Sequence, residues 1–309
     1  MKSGFASVVG RPNVGKSTLV NRMVGTKVSI VSSRPNTTRH TVRGVVQRPG
    51  AQVVLVDTPG FHRPRTLLGE RLLEAAGASL GDVDVVVVAL DATAPIGRGD
   101  RLVLTRVIEA SRGQREDATG RFPQDAQRAG RPGELLVALN KVDRVRPAQL
   151  LEQLASVAAC VAELGGGESV EYFPLSALTG EGVDELRDTL VERLPEGPMY
   201  YPEEMVTDTP EALQVAELVR EQLLRRAREE LPHSIACQVT EWEWPRIRCE
   251  IVVERDSQKG IVIGRGGEVL KDVGIAVRKQ LPPGAYLELH VRVEKRWQQR
   301  PDALDRLGL

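Results

Sequence analysis

A glycine-rich phosphate-binding signature near the start of the chain constrains its fold more than any other feature. Residues 10–17 read GRPNVGKS, which matches G-x-x-x-x-G-K-[ST], and they follow an apolar run that predicts a strand over Phe5–Val9. The backbone N–H groups of such a loop face a phosphate together with the first turn of a helix. The signature therefore predicts a strand, the loop and a helix over Asn13–Val24, in an α/β fold.

Beyond this unit, short β-branched runs alternate with helical patterns, which is typical of a doubly wound parallel sheet. The predicted strands and helices that follow are Val42–Gln47, Val53–Asp57, Val83–Leu90, Leu135–Asn140 and Tyr172–Ser176, and Arg101–Ala110, Gln149–Leu164 and Val183–Arg193. Residues 111–133 hold four glycines, two prolines and five arginines, which predicts a surface insertion.

The phosphate loop predicts contacts from each of its residues to a nucleotide. Lys16 is expected to bridge the β- and γ-phosphates, and the Ser17 hydroxyl is expected to bind Mg²⁺. A glycine-rich turn without a ligand is the alternative interpretation. The predicted contact residues are Gly10, Arg11, Pro12, Asn13, Val14, Gly15, Lys16, Ser17 and Thr18.

A second motif, NKVD at residues 140–143, indicates which base is bound. The Asp143 carboxylate can accept hydrogen bonds from N1–H and the 2-amino group of guanine, whereas adenine has no such pair of donors. Asn140 is expected to brace the base and the loop, and the stem of Lys141 to cover one ring face. An N-cap role for Asp143 is the alternative. Ser176 and Ala177 follow the next strand and are predicted to supply a backbone donor to guanine O6, so GTP and GDP are the expected ligands.

Two further segments are expected to respond to the γ-phosphate. The sequence DTPG ends the third predicted strand, at the sheet edge where ligands of such folds bind. Asp57 is expected to hold Mg²⁺ through water, and the Gly60 N–H to bond the γ-phosphate. Thr38 is the predicted hydroxyl ligand of Mg²⁺, with Thr37 as the alternative. The nucleotide-binding set here is Asp57, Thr58, Pro59 and Gly60.

These ordered motifs resemble those of the translation-factor-related GTPases. Phe61 follows DTPG where a Ras-like enzyme has glutamine, and its ring cannot orient the attacking water, so slow GTP hydrolysis is predicted. In similar GTPases an asparagine at the position of Asn13 helps to hold K⁺, and a K⁺ site is therefore a hypothesis. The predicted catalytic residues are Asn13, Lys16, Thr38 and Gly60.

The C-terminal third predicts a separate α+β domain. Its expected elements are a helix over Glu211–Glu230, strands over Ile235–Trp242, Arg248–Glu254 and Ala285–Val293, and a helix pair over Gly260–Gln280. The pair contains G-x-x-G, which is the sequence form of a KH module and clamps about four nucleotides. A helix-turn-helix with packing glycines is the alternative. The predicted RNA-binding residues are Ile261, Val262, Ile263, Gly264, Arg265, Gly266, Gly267 and Lys271.

Charge and composition limit where RNA can bind. The chain has 42 basic and 42 acidic residues, so no overall field attracts nucleic acid. Residues 259–300 hold nine basic and four acidic side chains, whereas residues 203–254 hold six basic and twelve acidic, which predicts a basic RNA-facing end. Trp242 and Trp244 favour core packing over base stacking. The three cysteines lack C-x-x-C spacing, which argues against disulfides and zinc and favours a reducing cytoplasm.

The chain as a whole resembles the Era family of bacterial GTPases. The segments that carry the resemblance, in the family's order, are GRPNVGKSTLVN, SRPNTTRH, VDTPGFHRP, NKVD, REELPHSIA and KGIVIGRGGEVLK. It implies a P-loop GTPase domain and a type II-like KH domain, and binding of the 3′ end of 16S ribosomal RNA. It also implies assistance in 30S subunit assembly by a monomeric cytoplasmic protein that associates peripherally with the inner face of the cell membrane.

We therefore expect a GTPase domain over residues 1–195, a proline-rich linker over 196–209, a KH domain over 210–300 and a tail over 301–309. The expected function is a slow GTP-hydrolysing switch that binds ribosomal RNA. A GTP-dependent RNA-binding scaffold at the membrane, in which hydrolysis is incidental, is the alternative.

Overall fold

The valine-rich runs of the first domain pair into a six-stranded sheet in the computed structural model, which describes residues 1–62, 64–81, 83–113, 134–167, 170–226 and 234–309. The strand order is β2-β3-β1-β4-β5-β6, and only β2 runs antiparallel to its neighbour. Strands β3 and β4 are buried on both faces. The strands are β1 (Lys2–Gly10), β2 (Val42–Arg48), β3 (Ala51–Asp57), β4 (Val85–Asp91), β5 (Glu134–Asn140) and β6 (Glu171–Leu175).

Helices cover both faces of this sheet. Residues of α1 and α5 share one apolar cluster with the sheet, and residues of α3 and α4 share the other. No helix is predicted from the sequence at α2, which contains Gly69 and Gly77, residues of low helical preference. The helices are α1 (Lys16–Val24), α2 (Leu67–Ala78), α3 (Arg98–Gly113), α4 (Pro147–Glu163) and α5 (Val183–Arg193).

The parallel register gathers the carboxyl ends of the strands at one edge of the sheet. Val8 of β1 is paired with Asp57 of β3, and Asp91 of β4 is paired with Asn140 of β5. Ligands of doubly wound sheets bind at this edge. The topology alone therefore places the phosphate loop, DTPG and NKVD next to one another.

Two compact units divide the chain, the first made of described residues within 1–29, 38–63 and 72–208, and the second of those within 30–37, 64–71 and 209–309. The proline-rich segment before Asp208 is hydrogen-bonded within the first unit. The Val45 N–H donates to Val206 O at 2.9 Å, and the Gln52 side chain bonds the backbone of Tyr200 and Tyr201.

The second unit contains a three-stranded sheet of order β7-β8-β9, with β7 antiparallel and β9 parallel to β8. The predicted helix end at 227–230 and most of the insertion predicted at 111–133 lie outside the described residues. The elements are α6 (Glu211–Arg226), β7 (Ala236–Glu243), β8 (Arg246–Val253), α7 (Asp256–Ile263), a 3₁₀ turn (Arg265–Gly267), α8 (Glu268–Arg278), β9 (Tyr286–Val293) and α9 (Pro301–Arg306).

The final residues, expected to be a tail, pack into the second unit. Trp297 is fully buried and its indole N–H donates to Ser234 O at 3.0 Å, and Ala303 and Leu304 of α9 are also buried. Buried Glu294 pairs with Arg292, Arg300 and Arg306. Across the part of the chain that the structure describes, no helix has both the length and the apolar character needed to cross a bilayer.

Candidate nucleotide and RNA sites

The phosphate loop has the backbone shape that an anion site needs. Gly15, the N-cap of α1, has a φ of 100°, and a Cβ there would lie 2.2 Å from Asn140 Nδ2, so only glycine fits. The first turn of α1 carries no acidic side chain. Its N–H groups and the positive end of the helix dipole are therefore suited to a phosphate.

Lys16 is held inside this loop. Its Nζ donates to Gly10 O at 3.2 Å and to Arg11 O at 2.9 Å. Burial lowers the pKa of Lys16 to about 8, although the charge of Asp57 opposes this effect. A phosphate oxyanion would give this buried ammonium a charged partner.

Asp57 provides the clearest sign that a cation belongs here. Its side chain is fully buried, and neither carboxylate oxygen accepts a hydrogen bond from any residue in the described ranges. Burial raises the pKa of Asp57, while nearby Ser17, Lys16 and Ser29 oppose the rise. A buried carboxylate without a partner is costly, and carboxylate and hydroxyl oxygens are the ligands that Mg²⁺ prefers. These residues therefore fit a magnesium ion.

The structure distinguishes the two threonines left open by the sequence. Thr38 Oγ1 lies 2.9 Å from Ser17 Oγ, beside the loop. The Thr37 hydroxyl instead donates to Arg34 O at 2.6 Å and lies 2.7 Å from Ser32 Oγ. The Thr38 hydroxyl, and not that of Thr37, is therefore the one that lies next to the Ser17 hydroxyl.

After Asp57, the DTPG segment is tied to β1 and to the phosphate loop by hydrogen bonds. Thr58 is buried and its hydroxyl donates to Val8 O at 3.1 Å. The Phe61 N–H donates to Gly10 O at 3.1 Å, while the ring is buried in the apolar cluster shared with α3 and α4. The Phe61 ring therefore has a packing role.

Asn140 connects three motifs. Its Nδ2 donates to Val14 O at 2.8 Å, and its Oδ1 accepts from Lys141 N at 2.8 Å and Ala177 N at 2.9 Å. The Ala177 N–H predicted for guanine O6 is thus already hydrogen-bonded to Asn140. Asn140 holds the phosphate loop, NKVD and the Ser176–Ala177 segment in one arrangement.

Asp91 and Arg22 hold parts of this site in place, and neither was among the site residues predicted from the sequence. Lys141 Nζ lies 2.5 Å from Asp91 Oδ2 and 2.8 Å from Asn13 O. Burial would raise the pKa of Asp91, but hydrogen bonds from Lys141 and Thr93 outweigh it and lower the pKa. Arg22 of α1 donates to Ala177 O at 3.2 Å and also to Leu178 O. For Asp91, its position at the end of a buried strand was the only sequence feature that could have indicated this role, and for Arg22 there was none.

Asp143 stands in a 3₁₀ turn over Val142–Arg144, with its side chain 19% exposed. The Arg144 guanidinium is its nearest cation, with Nε 3.8 Å from Oδ2. This separation is too long for a hydrogen bond. The carboxylate therefore keeps its acceptor capacity for a base.

The G-x-x-G loop lies in the second unit between α7 and α8 and is open to solvent. Arg265, Gly266 and Lys271 are exposed, and Ile261 is 59% exposed. Val262, predicted to contact RNA, is instead 1% exposed and packs in the core of this unit, because it is on the buried side of α7 whereas Ile261 is on the exposed side. Ile263, the alternative, is partly exposed.

Within the second unit, α6 holds the segment that precedes Thr38. The Val31 N–H donates to the Glu221 carboxylate at 3.0 Å, and the Arg220 guanidinium donates to Thr37 O. Arg220 and Glu221 are both buried, and Arg220 is also paired with Glu217. Segment 30–37 is therefore anchored by buried charged groups of α6.

Comparisons with known proteins match both domains. Residues 5–116 match the family described as 50S ribosome-binding GTPase, and residues 230–298 match the KH domain. The GTPase Era of Mycobacterium avium (strain 104) is 44% identical over 319 residues, covering 99% of this chain and 98% of that protein. GTPase Era of Mycobacterium leprae (strain TN) is 44% identical over 321 residues, with the same coverage.

Two solved structures are similar over the whole chain. A variant of Aquifex aeolicus Era bound to GDP and AlF₄⁻ has a TM-score of 0.86 at 35% identity, covering 100% of this chain and 99% of that one. Era in complex with MgGDPNP and nucleotides 1506–1542 of 16S ribosomal RNA has the same score, identity and coverage.

Fold and site together define a P-loop GTPase domain followed by a KH domain. This confirms the predicted fold class and the expectation of a GTP- and GDP-binding enzyme that hydrolyses GTP. The chain belongs to the Era family of GTPases.

Proposed function

We propose that the protein is a slow GTPase switch that binds the 3′ end of 16S ribosomal RNA through its KH loop and assists 30S subunit assembly. The observation that carries this proposal is the presence, in one chain, of a guanine-nucleotide site and an exposed G-x-x-G loop. The similar Era structure that holds nucleotides 1506–1542 of 16S ribosomal RNA supports the choice of RNA.

In the nucleotide site, Lys16 and the N–H groups of the loop bind the β- and γ-phosphates. Ser17 and Thr38 supply hydroxyl ligands for Mg²⁺, and Asp57 holds the ion through water. Bound Mg²⁺ would neutralise charge on the phosphate oxygens. Asp143 reads guanine, Asn140 positions the base-binding loops, and the Gly60 N–H meets the γ-phosphate. The other residues of segments 10–18 and 57–60 act through their backbone. The Ala177 N–H, which already donates to Asn140, would be shared with guanine O6.

Hydrolysis is slow in this proposal because the buried Phe61 ring cannot orient water. Asn13 is exposed within the phosphate loop, with a φ of 66°, so its side chain is accessible to an ion, and the resemblance to similar GTPases suggests K⁺. Equal hydrolysis rates in KCl and NaCl, both unchanged in Asn13→Ala, would contradict the K⁺ site.

The γ-phosphate signal passes through adjacent residues of the chain. Thr38 would bind Mg²⁺, and the Thr37 carbonyl, one residue earlier, accepts from buried Arg220 of α6. Ordering of Thr38 by GTP therefore constrains the backbone that α6 contacts. RNA binding by the KH domain is coupled to the nucleotide through this segment.

The resemblance further suggests a cytoplasmic monomer with peripheral association to the inner face of the cell membrane. Mass measurement in solution and sedimentation with anionic vesicles test these two points. A monomer mass and vesicle-dependent pelleting are expected, whereas a dimer or an absence of pelleting would contradict them.

Assembly in cells tests the main proposal against an RNA-binding scaffold with incidental hydrolysis. Lys16→Ala should block 30S maturation through loss of GTP. Thr38→Ala should retain GTP binding, lose hydrolysis and also block maturation, while the exposed matched control Thr41→Ala should not. Normal maturation with a Thr38→Ala protein shown to bind but not hydrolyse GTP would favour the scaffold.

A further inference from the structure

A cavity in the second unit belongs to neither the nucleotide site nor the G-x-x-G loop. It has a volume of about 530 Å³ and opens between the first half of α6, the β7–β8 hairpin and the segment after α8. Its size is that of pockets that receive small ligands or side chains. Apolar side chains form much of its lining, namely Val215, Leu218, Ile247 and Leu281.

Two tryptophans stand at this cavity with much of their surface exposed. Trp242 is 37% exposed and Trp244 is 52% exposed, which contradicts the expectation that they form core. Trp297 shows the contrast, because it is fully buried with its N–H satisfied. Tryptophan has a large apolar surface to bury, so two exposed rings beside an apolar cavity indicate a binding surface.

The charges around the cavity favour a cationic occupant. Glu211 lines it. Within the described part of the chain, this carboxylate has no ion-pair partner. The neighbouring arginines are already paired: Arg246 lies 2.9 Å from Glu288, and Arg248 contacts both Glu288, at 3.2 Å, and Glu241.

The cavity is also separate from the basic loop. The G-x-x-G residues precede α8, whereas Gln280, Leu281 and Pro282 of the cavity follow it. An 11-residue helix is about 16 Å long. A phosphate backbone is suited to the arginine and lysine at the first end, and Glu211 disfavours it at the second.

We propose that this cavity binds a short segment of a partner protein in which an arginine or lysine adjoins a large aliphatic residue. The cation stacks on the exposed indole rings and pairs with Glu211. The aliphatic side chain enters the apolar floor. The same rings could stack on bases, but the Glu211 carboxylate favours the cationic peptide.

Tryptophan fluorescence of the full-length protein tests this proposal directly, because Trp297 is buried and the two exposed rings report on the cavity. The probe is the peptide acetyl-Gly-Arg-Leu-Arg-Leu-Gly-amide, with a control peptide that carries glutamate in place of arginine. We expect saturable quenching by the first peptide only. Trp244→Ala should weaken binding about tenfold and Glu211→Gln about threefold, judged by calorimetry.

The exposed Glu203→Gln variant is the matched control and should bind the peptide like the original protein. Circular dichroism of each variant verifies folding, and the glutamate peptide tests the charge requirement without any change in the protein. No saturable signal, equal binding of both peptides, or quenching by an oligouridylate that depends on Trp244 would each overturn the proposal. The last result would make the cavity an RNA surface.

Discussion

Two glycine loops in this protein are suited to phosphate groups, but they use charge in opposite ways. In the first unit Lys16 and Asp57 are buried beside the loop, where burial lowers the pKa of the lysine and raises that of the carboxyl. In the second unit Arg265 and Lys271 stand in solvent beside Gly266. A desolvated charge depends on its ligand, whereas an exposed charge is screened by water and salt.

The difference explains what each loop can do. The buried site is built to recognise one ligand, because an unmatched group there is costly. The exposed loop can accept the RNA phosphate backbone in many positions, and the affinity for RNA that its charges contribute falls as the salt concentration rises. Single substitutions should therefore have large effects at the nucleotide and smaller, salt-dependent effects at the RNA.

The largest effect is expected from Lys16→Ala. Removing the buried ammonium leaves the phosphates without their charged partner and should cost about 3–4 kcal/mol of GTP binding, roughly several hundredfold. Calorimetric titration measures it. The exposed Lys27→Ala variant is the control and should bind GTP normally. A loss below tenfold in Lys16→Ala would contradict the buried-charge account.

The next effect is expected from Asp143→Asn. The amide can no longer accept from both guanine donors, so GTP affinity should fall about a hundredfold, and xanthosine triphosphate should become the preferred ligand. Competition titrations with both nucleotides check this, with the exposed Asp188→Asn as control. An unchanged preference for guanosine over xanthosine would mean that Asp143 does not read the base.

A smaller effect is expected at the RNA loop. Gly264→Asp would place a carboxylate in the loop but would also distort the backbone. A Cβ on Gly264 would lie 2.5 Å from Val269 Cγ2, and Gly264 has a φ of 75°. Gly266 has open space around its Cβ and a φ of 61°, a region that asparagine and aspartate tolerate.

Gly266→Asp should therefore weaken RNA binding about tenfold at low salt, and less at high salt, by adding a negative charge. Gly266→Asn has nearly the same shape without the charge and should change affinity much less. Filter binding over a salt series measures both. Equal losses for the two variants would indicate that shape rather than charge matters at this position.

The smallest effect concerns the buried thiols of the two units. Burial raises the pKa of Cys160 in α4 and of Cys237 in β7. Both should be alkylated more slowly than free cysteine at neutral pH, and faster as the pH rises above 9. Because the folded pKa of each thiol is raised, the stability that it contributes is fully present below the unfolded pKa and is lost as the pH rises from there through the folded pKa.

Mass spectrometry of alkylated peptides checks these rates in both units. Addition of GTP should slow the modification of Cys160, since the ligand stabilises the unit that binds it. Alkylation of either thiol at the rate of free cysteine would contradict their burial.

Much of the nucleotide site was predictable because the positions of its motifs in the chain determine where they lie in the fold. A loop between strand and helix, and residues at strand ends, converge at one sheet edge once the fold is parallel. The RNA loop was predictable in position but not in detail, since Val262 is core and Ile261 is exposed. The buried side of a helix as short as α7 is set by its tertiary packing, because its two turns contain too few residues to show a clear apolar pattern.

Other features depended on partners distant in sequence. Arg22 binds the Ala177 carbonyl, and no motif connects residues 155 positions apart. Trp242 and Trp244 face the same cavity, as alternation predicts, but they are exposed rather than core, Trp242 at the end of β7 and Trp244 in the hairpin turn beyond it. α2 formed despite its glycines because its apolar side chains pack against the sheet.

The affinity of the full-length protein for the 16S 3′-end RNA, measured with GDP and with a non-hydrolysable GTP analogue, tests the central claim most directly. We predict about tenfold tighter binding with the analogue, a common size for coupling between two sites, and loss of this difference in Thr38→Ala. Equal affinity in the two nucleotide states, with both nucleotides shown to be bound, would contradict a switch.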